Sequence, residues 1–360
     1  MGTLRALFAI AVVLAHSYGF VFVGGKNAVQ LFYMISGFLI SYVLVERKVY
    51  KSTRSFYINR YLRLYPIYFV VALLSLVAFV FAAAIGKEVG FFKVYHDAPL
   101  AANILLVVSN AAIFFQDWVM FSAIQSGELV FSANFLKSQV VLYPGLLVPQ
   151  AWTLGVELTF YLIAPFVLVR KQVLLLLLAL SIALRAYLLY LGLGKSDPWT
   201  YRFFPAELAL FLLGALAHQV LLPFYRKTLR GGGGLLELFA NLSTYILIAM
   251  TLVYWLVPLR ETIKTVILLS VFLLLMPLTF VFQTQRRWDK WIGDLSYPIY
   301  ICHMLIIFIV TPVLDWFDIT DRLLGSTAVV AATIGFSVML NILVGRPIES
   351  LRSRVRVLCT

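Results

Sequence analysis

The sequence predicts an all-α polytopic membrane protein, and three observations predict it. Of its 360 residues 62% are hydrophobic and only 12% charged, with a mean hydropathy of +0.95, whereas soluble domains hold roughly 45–50% apolar residues. The apolar residues come in runs of about 20, the length of a helix that crosses a bilayer. The charges collect in the short stretches between those runs. A β-barrel is excluded, because its signature is alternating ten-residue segments and only closed strands could satisfy the backbone otherwise.

In chain order, about ten transmembrane helices are expected near residues 4–23, 29–45, 62–85, 152–169, 172–193, 204–222, 235–257, 265–283, 295–314 and 326–344. The first is kept as a mature helix rather than a signal peptide, since it lacks a small-residue cleavage site and carries His16. Residues 98–150 contain the apolar run 100–115, but Gln116, Asp117, Glu128 and Lys137 interrupt the stretch beyond it. A re-entrant or capping element is expected there, the alternative being two further crossings. With both termini cytoplasmic, Arg5, Arg47, Arg60, Arg63, Arg170, Arg226, Arg286 and Arg346 fall inside, while Asp97, Asp197, Asp315, Asp318 and Asp321 fall outside, as the positive-inside rule requires. The same rule accounts for the net charge of +13 without nucleic acid. The expected organisation is one integral membrane domain, 1–349, and a basic cytoplasmic tail, 350–360, in the cell (inner) membrane with lipids as its surroundings.

Two cysteines, Cys302 and Cys359, allow neither a disulfide framework nor a zinc set, and no metal site is expected. The tetraglycine Gly231–Gly234 reads as a hinge, since it lacks the Gly-Lys-Ser/Thr ending of a phosphate loop.

Arg5 and His16 stand eleven residues apart, which on a helix places them on one face about 16 Å apart. An ionisable group inside a membrane helix usually marks a functional site, and histidine exchanges protons near neutral pH. The second span carries Ser36-Gly37, where close helix packing is an adequate explanation. Arg60 and Arg63, three apart before the third span, form a forked pair suited to a polyanion, although a solvated positive-inside loop would look the same. Glu157 lies inside the fourth span, after Trp152 and one turn before Tyr161, and needs a partner: His16, an arginine or a substrate hydroxyl. The ninth span opens with Ser296 as its expected N-cap and Pro298 in its first turn. Tyr300 and His303 then share a face.

These segments, namely Arg5 with ten residues to His16, LFYMISGFLI, FYINRYLRLYP, AWTLGVELTFYLIAP and LSYPIYICH, resemble in order and spacing the acyltransferase-3 family of polytopic membrane O-acyltransferases, over residues 4 to about 349. The resemblance implies transfer of an acetyl or other short acyl group from cytoplasmic acyl-CoA, acetyl-CoA above all, to a hydroxyl of a surface polysaccharide, lipopolysaccharide, peptidoglycan or lipid-linked sugar. It implies that His16 is the membrane histidine, Arg5 the first-span arginine and Arg60 and Arg63 the arginine pair; in the scheme expected here these arginines, with Arg47, hold the acyl-CoA phosphates. Glu157 would orient the imidazole or the acceptor, and Ser36, Trp152, Tyr161, Tyr300 and His303 would line the substrate cavity. His16 acts either as general base or through an acyl-imidazole, and the sequence leaves both open. Two features depart from the family: Gly2-Thr3-Leu4 replaces the usual Asp before the arginine, and Arg346-Pro347-Ile348-Glu349 replaces the Glu-x-Pro ending. No soluble esterase-like domain follows the membrane part, so a relay to one within this chain is not expected. Without those motifs a proton-coupled transporter would describe the intramembrane His, Glu and Arg equally well. Acceptor identity, acyl length and oligomeric state are not written in the sequence.

Overall fold

A computed structural model describes residues 1–17, 22–229 and 234–357. The chain forms α1 (Gly2–Ser17), α2 (Gly24–Ser41), α3 (Thr53–Ala84), α4 (Gly90–Asp97), α5 (Leu100–Ala112), a hairpin of β1 (Ser122–Gln125) and β2 (Glu128–Phe131), α6 (Trp152–Val167), α7 (Lys171–Tyr190), α8 (Phe204–Leu216), α9 (Leu222–Leu229), α10 (Leu235–Val253), α11 (Glu261–Gln285), α12 (Arg287–Trp316), α13 (Arg322–Leu340) and α14 (Arg346–Val357). Single π-helical turns extend α2 to Glu46, join α8 to α9 and join α13 to α14.

Among the described residues eight helices are long and apolar enough to cross a membrane. The chain is an all-α, multi-pass membrane protein. Its outward faces keep large apolar side chains such as Leu73, Phe81, Leu176 and Leu238 exposed, as lipid contact requires. Two expected spans, 4–23 and 152–169, form α1 and α6, each of 16 residues and so about 24 Å long, shorter than a bilayer core of about 30 Å. Residues 18–21 of the first, and 231–233 of the tetraglycine, lie outside the described residues.

Several helices begin earlier than hydropathy marks them, because polar turns continue the backbone pattern beyond the lipid-soluble stretch. The third starts at Thr53, where the Ser52 side chain accepts from the Ser55 amide, so Arg60 and Arg63 do share one helix. The ninth starts at Arg287. Ser296 is therefore not an N-cap but a mid-helix residue whose hydroxyl donates to the Gly293 carbonyl at 2.7 Å, and Pro298 likewise lies inside α12. The boundary expected at 349 falls inside α14.

Residues 98–150 hold no helix long enough to cross. α5 stops after 13 residues, where Ile113 takes φ 63°, and the antiparallel pair β1–β2 with short 3₁₀ turns leads to α6. Asn110 pins the element: its Nδ2 donates to the Gly145 carbonyl and its Oδ1 accepts from the Leu147 amide. Tyr68 OH donates to the Asn110 carbonyl at 2.7 Å, tying the element to α3. Asp117 is buried against α6, where a Cβ on Gly155 would meet its Oδ1 at 3.0 Å.

Close backbone contact sets α2 against α8. A Cβ on Gly37 would lie 1.8 Å from the Phe211 carbonyl oxygen, and one on Gly214 2.0 Å from that of Met34, so only glycine fits at either place.

Candidate active site

α1 sets Arg5 and His16 toward its opposite ends. The first turn of α12 caps α1: the Asp289 carboxylate accepts from the amides of Gly2 (2.7 Å) and Thr3 (2.9 Å) and from the Thr3 hydroxyl (2.6 Å), satisfying helix-start donors that would otherwise be orphaned. α12 then runs along α1 and brings Tyr300 and His303 to the His16 end.

There the His16 and His303 rings lie 5.2 Å apart, tilted by 40°. His16 Nδ1 bonds the Val12 carbonyl at 2.9 Å and His303 Nδ1 that of Tyr300 at 2.6 Å. A carbonyl only accepts, so each Nδ1 carries a hydrogen and each neutral ring offers its Nε2 lone pair. His303 is fully buried with no partner at Nε2, whereas His16 is exposed.

A cavity runs between α1, α2, α3, α6 and α12. Its Arg5 end is lined by Arg5, Arg60, Arg63 and Tyr161, its middle by Ser36 and Glu157, and its far end by Phe32, Tyr33, Thr153 and Tyr300. Glu157 accepts hydrogen bonds from Ser36 Oγ and Tyr161 OH. Its partners are therefore two hydroxyls of the chain rather than His16 or an arginine. The Tyr161 half of that answer was visible as an i, i+4 spacing; the Ser36 half depended on how α2 crosses α6.

The two arginines of α3 differ. Arg60 is buried, with its guanidinium 5.5 Å from the Phe56 ring centroid and 5.7 Å from that of Tyr161. Its Nη2 donates to Tyr50 OH (2.9 Å) and Asn59 Oδ1 (3.1 Å), while its Nε has no partner. Arg63 and Arg5 are half-buried and line both this cavity and a second, larger one beneath it. Neither guanidinium hydrogen-bonds another residue among those described, so both have donors to offer a ligand.

The cavity stops short of His16. Phe32 and Tyr300 meet edge to face at 6.0 Å, and Tyr300 in turn meets His303 at 5.8 Å, so the cavity ends at an aromatic layer behind which His303, and then His16, follow. Tyr300 is pinned, donating to the Gln150 carbonyl at 3.2 Å and accepting from Thr153 Oγ1 at 3.0 Å. Phe32 makes no hydrogen bond through its side chain; it packs against the hydrophobic core and meets the Phe8 ring at 5.9 Å.

Two expected site residues stand apart. Arg47 is exposed and lines neither cavity. Trp152 lies under the Arg202 guanidinium at 4.2 Å and against Tyr201 at 4.8 Å. Arg202, held by a two-pronged pair with Asp197 at 2.7 and 2.8 Å, had no signal in the sequence beyond its charge, since only folding brings its loop to α6. Among the described residues no cluster of His, Cys, Asp or Glu could hold a metal ion.

Residues 2–342 match the acyltransferase domain of the acyltransferase-3 family. The chain belongs to that family. Among its relatives, an uncharacterised protein of Aquifex aeolicus (strain VF5) is 25% identical over 222 residues, 57% of this chain and 89% of the relative. The peptidoglycan O-acetyltransferase OatA of Listeria monocytogenes is 26% identical over 339 residues, 87% of this chain and 50% of that protein. This acyltransferase-3 chain thus spans about half the length of the Listeria protein. No solved structure matches it.

Proposed function

We propose that the protein is a membrane O-acyltransferase that moves an acetyl or other short acyl group from acyl-CoA, bound at the cytoplasmic Arg5 end, to a hydroxyl of a cell-surface glycan or lipid-linked sugar at the His16 end. The observation that carries this reading is the cavity that joins Arg5, Arg60 and Arg63 to Ser36 and Glu157 and ends at Tyr300, from which the ring of His303 leads on to that of His16. Family membership supports acyl transfer, and the named activity of the Listeria relative supports an acetyl group and a glycan acceptor.

Arg5 and Arg63 supply forked donors for phosphate oxygens. The pantetheine arm runs along α1, with the Glu157 carboxylate and its two hydroxyls as partners for its amides. Phe32, lacking a polar anchor, is the ring that yields to admit the acyl end, while Tyr300 stays fixed. His16 Nε2 then takes the acceptor's hydroxyl proton, the oxygen bonds the thioester carbon, and the C–S bond breaks. The thiolate leaves as thiol with the proton from His16. In the acyl-imidazole route Nε2 bonds the acyl carbon as the C–S bond breaks and the coenzyme leaves as thiolate; the acceptor oxygen then displaces Nε2 and its proton goes to the thiolate.

The test is to incubate membranes containing the protein with acetyl-labelled acetyl-CoA. Label is expected in glycan or lipid, and only when the protein is present. A proton-coupled transporter would leave the label on the coenzyme.

A further inference from the structure

The family match ends at residue 342, yet the chain continues into α14, and α14 helps to enclose a second cavity with α1, α3 and α12. This cavity meets the first at Arg5, Arg63 and Tyr297, which line both. Five cations face it, Arg5, Arg63, Lys290, Arg346 and Arg352, against only Asp294 and Glu349.

α14 is docked rather than merely nearby. The Arg352 carbonyl accepts from Asn59 Nδ2 at 3.5 Å, and its Nη2 donates at 3.3 Å to Asn59 Oδ1. That same oxygen accepts from Tyr50 OH and from Arg60 Nη2, so the tail shares an anchor with the arginine of the first cavity. Glu349 is engaged by Arg352. Neither Lys290 nor Arg346 has an ion-pair partner among the described residues, and a concave cluster of one sign concentrates ions of the other.

We propose that α14 completes the seat for the nucleotide end of acyl-CoA, Lys290 and Arg346 engaging the ribose 3′-phosphate while Arg5 and Arg63 grip the diphosphate at the neck between the cavities. This rests on the acyl-CoA reading above. The junction favours a ligand that runs through both spaces, which a lipid headgroup does not.

The test compares acetyl-CoA, 3′-dephospho-acetyl-CoA and acetyl-pantetheine as donors in wild type, Lys290→Ala and Arg346→Ala. Wild type is expected to favour acetyl-CoA over acetyl-pantetheine by about 100-fold or more, and each substitution to shrink the preference for acetyl-CoA over its 3′-dephospho form about tenfold, the scale of one charge-assisted hydrogen bond. Equal use of the three donors by wild type, or variants whose donor preference is unchanged, overturns the proposal even if a variant folds poorly. So does a variant effect that appears only in nanodiscs of anionic lipid and vanishes in phosphatidylcholine, which would assign the cations to headgroups. Failure of wild type to use any of the three donors would instead refute the acyl-CoA reading itself.

Discussion

The imidazoles of His16 and His303 lie 5.2 Å apart, each held by Nδ1 to the carbonyl of its own helix. The exposed ring can meet an acceptor, and the buried one can only serve its neighbour. In the proposed transfer, a hydrogen placed on His16 Nε2 would have a second imidazole, itself buried, beside its ring.

His303→Phe keeps an aromatic ring but removes both Nε2 and the Nδ1–H that the Tyr300 carbonyl accepts. Steady-state kinetics should show kcat reduced about tenfold or more, within the range of positioned acid–base groups, with KM for acetyl-CoA changed less than about twofold. A matched loss in both would mean that His303 merely packs.

Arg5, Arg63 and Arg47 should separate in titration calorimetry with acetyl-CoA. Arg5→Ala and Arg63→Ala remove donors that face both cavities and should each weaken binding about tenfold, since a charge-assisted hydrogen bond is worth roughly 1.5–3 kcal/mol. Arg47→Ala, on an exposed residue lining neither cavity, should change it less than about twofold.

Gly37→Ala and Gly214→Ala place a methyl group where a carbonyl oxygen already stands. Forcing α2 from α8 should cost about 1–3 kcal/mol or more, read as lower thermal stability in detergent. Gly335→Ala, where a Cβ meets nothing within 4 Å, is the control expected to leave stability unchanged or slightly higher, because alanine is the better helix former.

Stability should depend on pH through Asp117. Burial pushes its carboxyl up to about 7, against about 3.9 in an unfolded chain. Between roughly pH 4 and 7 the folded protein holds a proton that the unfolded chain has released, so stability falls as pH rises through that window and levels above it. Thermal unfolding from pH 4.5 to 7.5 should show this decline in wild type and a flatter profile in Asp117→Asn.

Much of this was legible in one dimension, and the reasons differ by residue. Hydropathy located every crossing helix because lipid dictates composition, but it missed the starts of α3 and α12, where arginine- and aspartate-bearing turns project beyond the apolar stretch. The shared face of Arg60 and Arg63 comes from the helix period. Their different surroundings do not, because Tyr50 reaches Arg60 only once the preceding loop folds back. Glu157 announced its need for a partner without naming Ser36, a residue 121 positions away. Phe32, Tyr33 and Thr153, which close the cavity, look like ordinary core in sequence and take meaning only from where three helices cross.

The central claim is tested most directly by the rate at which purified His16→Ala protein transfers labelled acetyl from acetyl-CoA to acceptor, measured where acetyl-CoA binding is confirmed on the same sample. The account predicts binding within about twofold of wild type and transfer reduced at least about 100-fold. Transfer retained to within a few-fold would contradict it.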